Sequence, residues 1–170
     1  ALELSADAMV GHSSGENTAM VAAGVVRIAD RETLHQHILH LNQLYQEVDS
    51  AGAIASGCLL TVGAVEREKV LEVVMGSAGQ LHLALDNCQH QAVLFGPKVA
   101  MEVAAAELRK AGGLCTYLSI DRPYHTPLFE PVARAIEGFL QAIPVGPGRI
   151  PLYSCASTSP FPEDADTIRR

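Results

Sequence analysis

The chain has 170 residues, 48% of them hydrophobic, which is enough for one globular domain with a substantial core. Its net charge is -7 and it lacks a stripe of Lys and Arg with interleaved aromatic residues, which argues against nucleic acid as a partner. It has no uninterrupted apolar run of about 18 residues and no opening signal-peptide pattern, so we expect a cytoplasmic protein without a membrane partner.

The first predicted elements are a short strand over residues 8–10, a sharp turn over 11–16 and a helix over 17–23. A second, longer helix follows Asp30, a residue type that favours the N-cap position. Its apolar residues recur every three or four positions: Leu34, Ile38, Leu41, Leu44 and Val48. We therefore expect one face of this long helix to be buried.

A more compact alternation of elements occupies residues 58–121. The pattern predicts strand 58–62, helix 65–75, strands 81–86 and 91–95, helix 98–110 and strand 114–120. This β-α-β-β-α-β order is ferredoxin-like, an antiparallel sheet with two helices on one face. We interpret residues 58–121 as a small subdomain inserted into a larger α/β subdomain formed by residues 1–57 and 122–170.

Longer elements return after the compact segment. Residues 121–127 form a Pro-bounded loop that contains His125. The next helix is predicted from the spacing of Phe129, Val132, Ile136, Phe139 and Leu140. A strand is predicted over residues 150–155, and the Pro-rich, acidic residues 157–166 are predicted to form a loop.

Gly11-x-Ser13-x-Gly15 matches the nucleophile-elbow pattern, in which a serine lies on a tight turn between a strand and a helix. The backbone N–H of Ser14 and the positive end of the helix dipole could then stabilise an oxyanion. A chance Gly/Ser turn before a helix would give the same pentapeptide, so the pattern alone leaves both interpretations open.

A nucleophilic serine needs a base, and histidine is the residue most often used near neutral pH. His125 is the candidate among seven histidines, although spacing alone favours a structural or helix-capping role for it. His37 and His40 could share a helix face, but no cysteine or carboxylate pattern completes a metal site there. The four cysteines form no C-x-x-C pair, so we expect no metal or redox centre and interpret them as small buried residues.

Several segments resemble the acyltransferase domains of polyketide and fatty acid synthases, the malonyl-CoA:ACP transacylase family. In chain order they are residues 11–16 with 22–25, 85–87 with 93–97, 124–128, and 150–154. The resemblance implies an α/β-hydrolase-like large subdomain, here a fragment, that carries the inserted ferredoxin-like small subdomain.

The resemblance also implies a ping-pong reaction. Ser13 would attack an acyl-CoA thioester, and the acyl group would pass to the phosphopantetheine thiol of an acyl carrier protein. His125 would act first as base and then as acid, and Ser14 would supply an oxyanion N–H. No bound cofactor is implied, and the partners would be acyl-CoA, the carrier protein and the neighbouring domains of a multidomain synthase. Candidate substrate-binding residues are His12, Ile38, Asn87 and Tyr124.

The chain departs from the family pattern at the position of Ile38. Malonyl-type members carry an arginine there, which pairs with the free carboxylate of the substrate, and isoleucine cannot replace that charge-assisted contact. We therefore expect a non-carboxylated acyl group. Ile38 would alternatively continue the apolar face of the long helix, with a polar or cationic group from elsewhere in the chain reaching the pocket.

Family members also extend before the elbow and beyond residue 170, and those extensions supply a second oxyanion donor and the group that orients the histidine. Two other functions stay open from the sequence. A hydrolase would use the same serine and histidine with water in place of the carrier thiol. A non-catalytic docking module would use the fold only as a contact surface within a synthase.

Overall fold

The computed structural model describes residues 5–169 of an α/β protein. Two compact units are present. The first contains the described residues up to Gln43 and those from Ile136 onwards, and the second contains Leu44–Ala135. Within the described residues, no helix is both long enough and apolar enough to cross a membrane.

The elements follow one another with short connections. In chain order they are β1 (Met9–Val10), α1 (Gly15–Ala23), α2 (Arg31–Ser50), β2 (Cys58–Gly63), α3 (Arg67–Gly76), β3 (His82–Cys88), β4 (Gln91–Gly96), α4 (Lys98–Lys110), β5 (Leu114–Tyr117), a 3₁₀ turn (Pro127–Phe129), α5 (Glu130–Ala142), β6 (Leu152–Ser154), β7 (Ser159–Pro160) and α6 (Ala165–Ile168). The helices α2 and α5 each contain a boundary between the two units.

The first unit contains a small sheet with strand order β1-β6-β7. β1 pairs with β6 in parallel, and β6 pairs with β7 antiparallel. The core of this unit is a cluster of Ala19, Ala23, Val25 and Leu152. α1 ends at Gly24, whose φ of +80° is left-handed and whose N–H donates to the carbonyl of Val21 at 3.1 Å. A glycine adopts this helix-ending conformation without a side-chain clash.

The second unit contains an antiparallel sheet with strand order β3-β4-β2-β5. Successive strand residues point to opposite faces, so Leu59 and Leu60 enter different cores. One core lies between the sheet and helices α3 and α4, and contains Leu60, Val62, Val70, Val73, Leu94, Met101 and Leu108. The other lies on the opposite face and contains Leu59, Ala84, Val93 and Phe95.

Most predicted elements are present, with some differences at their ends. α4 has the predicted bounds, whereas β5 ends at Tyr117 rather than at residue 120. The predicted loop 157–166 contains β7 and the start of α6, where the Asp164 carboxylate caps the helix by accepting from the N–H of Thr167 at 2.8 Å. The subdomain boundaries after residues 57 and 121 remain a prediction, since the two compact units divide the chain inside α2 and α5.

The long helix α2 differs from the prediction of a buried face. Asp30 caps it as expected, accepting from the N–H of Thr33 at 2.7 Å, but no residue of α2 is buried. The half-buried residues of α2 include Leu34, His37, Leu41, Leu44 and Val48, and Ile38 lies beside them with 48% of its surface exposed. His37 takes the place predicted for Ile38 because its ring packs edge-on against Phe139, with centroids 5.2 Å apart.

Candidate active site

The predicted site residues are divided between the two units. His12, Ser13, Ser14 and Ile38 belong to the first unit, and Asn87, Tyr124 and His125 belong to the second. Each half of the candidate site therefore has its own local geometry, built on different elements.

Ser13 lies on the tight turn between β1 and α1. Its φ is +56°, in the left-handed region that few residues other than glycine adopt. The turn is closed by two hydrogen bonds, from Gly15 N–H to the His12 carbonyl and from Glu16 N–H to the Ser13 carbonyl, both 3.0 Å long. Such backbone strain is typical of functional sites, and this strand-turn-helix geometry is that of a nucleophile elbow.

The two glycines of the elbow have different surroundings. A Cβ added at Gly11 would overlap the carbonyl oxygen of Gly15 and the backbone of Glu16. A Cβ at Gly15 would meet nothing within 4 Å. The turn therefore requires glycine at position 11, where two backbone segments meet closely, and leaves space for a side chain at position 15.

Ser14 is the N-cap residue of α1 and is exposed. Its amide N–H makes none of the hydrogen bonds that close the turn. Because the first N–H groups of a helix point outward and carry the positive end of the dipole, this group could donate to a developing oxyanion beside Ser13. Its geometry agrees with the role predicted for Ser14, which stays a prediction.

Cys155, which the sequence analysis gave no role, contacts the elbow. Its Sγ donates to the carbonyl of Gly11 at 3.0 Å. The parallel register of Met9 with Leu152 and of Val10 with Tyr153 brings this residue next to the turn. The interpretation of all four cysteines as buried is wrong for Cys88 and Cys155, which are exposed because each follows or ends a strand at a turn.

His125 occupies a similarly strained position in the second unit, with φ +60°. It is exposed, but the residues on either side are anchored. Pro123 is fully buried, and the buried Thr126 donates its hydroxyl to the Pro123 carbonyl at 2.7 Å. The loop thus presents the imidazole at the surface of a rigid turn.

Tyr124 joins this loop to the core of the second unit. Its ring packs on Phe129, with centroids 4.9 Å apart, and contacts the cluster that contains Phe95. Burial, together with a hydrogen bond to the Tyr45 side chain, raises the pKa of the Tyr124 phenol to about 12. The phenol therefore stays neutral at physiological pH.

The remaining candidates are more exposed. Ile38 lies on α2 and Asn87 near the end of β3, where the Asn87 amide donates to the Gln91 side chain at 3.3 Å. His12 is exposed beside Ser13. Their substrate-binding roles stay predictions. Residues 5–169 contain no group of three or more His, Cys, Asp or Glu side chains that could hold a metal ion.

Comparison with known proteins finds a synthetase and a transacylase among the relatives. The chain is 30% identical to tenellin synthetase of Beauveria bassiana over 96% of its length, and it covers 4% of that synthetase. It is 29% identical to the malonyl CoA-acyl carrier protein transacylase of Bacillus subtilis, over 94% of this chain and 50% of the transacylase. The chain thus spans about half the length of that transacylase. No protein-family model matches it.

Solved structures of the same kind share the fold. A malonyl-transacylase in complex with its type II polyketide synthase acyl-carrier protein superimposes with a TM-score of 0.80 at 25% identity, over 98% of this chain and 52% of that one. The acyltransferase domain of an iterative polyketide synthase in enediyne biosynthesis gives a TM-score of 0.76 at 23% identity, over 99% of this chain and 43% of that one. The resemblance predicted from the motifs is confirmed: this chain is a relative of polyketide synthase acyltransferase domains and malonyl-CoA:ACP transacylases.

Proposed function

We propose that the chain is the core of an acyl-CoA:acyl carrier protein acyltransferase in which Ser13 is the nucleophile. The Ser13 hydroxyl attacks the thioester carbonyl, its proton passes to His125, and CoA leaves as the protonated thiol. The carrier's phosphopantetheine thiol then attacks the Ser13 ester, and the proton returns to the serine oxygen. The observation that carries the proposal is the strained elbow at Ser13, at the start of α1.

The relatives support acyl transfer to a carrier protein. They include polyketide synthases and malonyl transacylases, and one of the similar structures holds an acyl-carrier protein as partner. Acyl transfer to a carrier protein is the activity consistent with these relatives, and our proposal places it in a cytoplasmic synthase that supplies neighbouring domains. A bound metal or organic cofactor has no part in this mechanism.

The second part of the proposal concerns which acyl group the enzyme accepts. Several relatives are named for malonyl transfer. In this chain the position of the carboxylate-binding arginine is Ile38, and α2 has no Arg or Lys after Arg31 at its first position. An aliphatic side chain gives a free carboxylate no hydrogen bond, and leaving that charge unpaired costs free energy. We therefore propose a non-carboxylated acyl substrate.

Intact-protein mass spectrometry tests both parts. The protein is incubated with acetyl-CoA, malonyl-CoA and a longer saturated acyl-CoA, and Ser13→Ala is the matched control. We expect an adduct from the uncharged thioesters that is absent from Ser13→Ala. An adduct from malonyl-CoA as fast as from acetyl-CoA would contradict the substrate preference, and no Ser13-dependent adduct from any thioester would contradict the enzyme assignment.

Adding a phosphopantetheinylated acyl carrier protein to the acylated enzyme then separates transferase from hydrolase. We expect the adduct mass to disappear from the enzyme and to reappear on the carrier. Release of the free acid at the same rate with and without the carrier would favour the proofreading hydrolase or esterase. A stable adduct that is never transferred would contradict both reactions.

A further inference from the structure

The side chain of Arg122 ties the loop that carries His125 to helix α2. Its Nη2 lies 3.1 Å from the Asp49 carboxylate of α2, and its Nη1 lies 3.2 Å from the Asp121 carboxylate in the loop itself. We propose that Arg122 is a positioning residue for His125, which acts by holding the loop that carries the imidazole against α2. The inference deepens the proposed function, on which the role of His125 as base rests.

The backbone of the loop is held by hydrogen bonds of its own. Thr126 donates twice to the Pro123 carbonyl, from its N–H at 3.2 Å and from its hydroxyl at 2.7 Å, which closes the turn on itself. The start of the loop is held by Gly57 N–H, which donates to the Asp121 carbonyl at 3.1 Å. These bonds shape the turn around His125, whose φ is left-handed, and the side chain of Arg122 joins that turn to Asp49 of α2.

The guanidinium geometry suits this role. Arg122 retains only 24% of its side-chain exposure and Asp49 38%, so the pair is partly shielded from solvent and from salt. A guanidinium presents several N–H donors in one plane and can hold two carboxylates at once, which a lysine ammonium cannot do with the same fixed directions. The two contacts therefore fix the orientation of the Arg122 guanidinium as well as its distance from Asp49.

Tyr45 extends the same network to the other neighbour of His125. The Tyr45 side chain hydrogen-bonds to Arg122 and also to Tyr124, so one residue of α2 holds positions on both sides of Pro123. The rings of Tyr45 and Tyr124 both face Phe129, with centroid distances of 6.3 and 4.9 Å. The hydrogen bond to Tyr45 is also the largest cause of the raised pKa of Arg122.

Nuclear magnetic resonance of isotope-labelled histidine tests the positioning directly, without substrate. The His125 ring resonance is assigned by its loss in His125→Asn and is then compared in Arg122→Gln, Arg122→Lys and Asp49→Asn. The matched control is Arg134→Gln, which breaks an exposed arginine-carboxylate pair of 2.6 Å with Glu130 in the same unit. We expect a shifted or split His125 resonance in Arg122→Gln and Asp49→Asn, a smaller change in Arg122→Lys, and none in Arg134→Gln.

The rate of Ser13 acylation from acetyl-CoA supplies the second readout. Since misplacing a catalytic group by about 1 Å can cost about 100-fold in rate, we expect Arg122→Gln to lower the acylation rate by about 10- to 100-fold with unchanged thioester affinity. Arg122→Lys should recover part of that loss. If Arg122→Gln does not fold, the acylation rate and the His125 resonance are compared with wild type in Asp49→Asn and Tyr45→Phe instead. Tyr45→Phe removes only the hydroxyl.

The outcomes separate this inference from the proposed function. An unchanged His125 resonance in the Arg122 variants, or an equal change in Arg134→Gln, overturns the positioning role. A selective change of the resonance supports it even if the wild-type protein forms no acyl adduct, in which case only the proposed function fails. Where wild type is acylated, an Arg122→Gln rate within about twofold of wild type also overturns the inference, since a misplaced catalytic base would cost more.

Discussion

Gly11 and Gly15 flank Ser13 at equal distance in the sequence. Because the space around them differs, we expect alanine substitutions at the two positions to have opposite effects on stability. Alanine at position 11 would push a methyl group into backbone atoms of residues 15 and 16, which cannot move without opening the elbow. We expect Gly11→Ala to lower the free energy of unfolding by about 1–3 kcal/mol, the usual cost of overpacking. Urea unfolding measures the change.

Gly15→Ala is the matched control for that substitution. It adds the same methyl group at the start of α1, where nothing lies within 4 Å, and alanine favours helix over glycine by up to about 1 kcal/mol. We expect it to be neutral or stabilising. Equal destabilisation by the two substitutions would show that the close approach at Gly11 is not what shapes the turn.

The raised pKa of the Tyr124 phenol predicts how the free energy of unfolding depends on pH. Its pKa is about 12 in the folded protein, against 10.0 for an ordinary tyrosine, because burial and the Tyr45 hydrogen bond favour the neutral form. Between those two values the unfolded chain loses the proton first, so the folded state binds more protons and stability falls as pH rises. The contribution is fully present below pH 10 and is lost between about pH 10 and pH 12.

Ultraviolet absorbance of tyrosinate during a pH titration checks this behaviour. We expect the highest-pH transition of the wild type to be missing in Tyr124→Phe and to move towards lower pH in Tyr45→Phe. Tyr153, which is exposed in the first unit, serves as the control position through Tyr153→Phe. A titration of the Tyr124 phenol near pH 10 would contradict the buried hydrogen bond.

At the scale of single residues, the sequence could predict Ser13 and His125 as candidates because short motifs surround them. It could not identify Cys155 or Arg122. Cys155 meets Gly11 only through the parallel register of β1 and β6, and Arg122 meets Asp49 across 73 positions of the chain. Contacts of this kind depend on how elements pair in space, which local patterns do not encode.

At the scale of elements, α4 shows how burial decides the effect of a substitution. Met101 is fully buried against the sheet, whereas Val103 on the same helix is 65% exposed. We expect Met101→Ala to lower the free energy of unfolding by about 2–5 kcal/mol, because it removes buried apolar contacts and leaves a cavity. Val103→Ala should change it by less than about 0.5 kcal/mol.

Thermal and urea unfolding of the two variants measure this difference under identical conditions. Both substitutions end in alanine on one helix, so differences in helix propensity stay small compared with the expected cavity cost. Similar losses of stability in the two variants would mean that α4 does not pack on the sheet through its Met101 face.

Helix periodicity predicted the bounds of α4 correctly, and for α2 it predicted Leu34, Leu41, Leu44 and Val48 of the half-buried stripe but wrongly included Ile38. An apolar count selects Ile38 as part of the stripe, because isoleucine is hydrophobic and histidine is not. In the structure His37 is half-buried against Phe139, and Ile38 is exposed. An imidazole can pack edge-on against an aromatic ring, so hydrophobicity alone does not identify the face of a helix that meets such a partner.

At the scale of the whole molecule, the order of elements was predictable, whereas the bounds of the two compact units have no signal in the sequence. The β-α-β-β-α-β order of elements predicts the four-stranded sheet with strand order β3-β4-β2-β5. That order could be predicted because each apolar segment is short and bounded by turn residues. The unit boundaries fall within α2 and α5, where the helical pattern continues without a break. Periodicity cannot mark a boundary inside a continuous helix.

The two units also differ in the cores that stabilise them, which predicts unequal local stability. The second unit buries a large cluster on one face of its sheet and a smaller one on the other, while the cluster of the first unit is built from Ala19, Ala23, Val25 and Leu152. Because the free energy gained on folding grows with buried apolar area, the sheet of the second unit should open least often.

Native-state hydrogen exchange followed by mass spectrometry measures this difference. We expect the amides of β2 and β4 to exchange at least about 10-fold more slowly than those of β1 and β6, which corresponds to about 1.4 kcal/mol of additional local stability. Met101→Ala should accelerate exchange in β2 and β4 and leave that of α1 unchanged, whereas Val103→Ala should alter neither. Equal exchange in both sheets, accelerated equally by Met101→Ala, would show that the chain opens as one cooperative unit in spite of its separate cores.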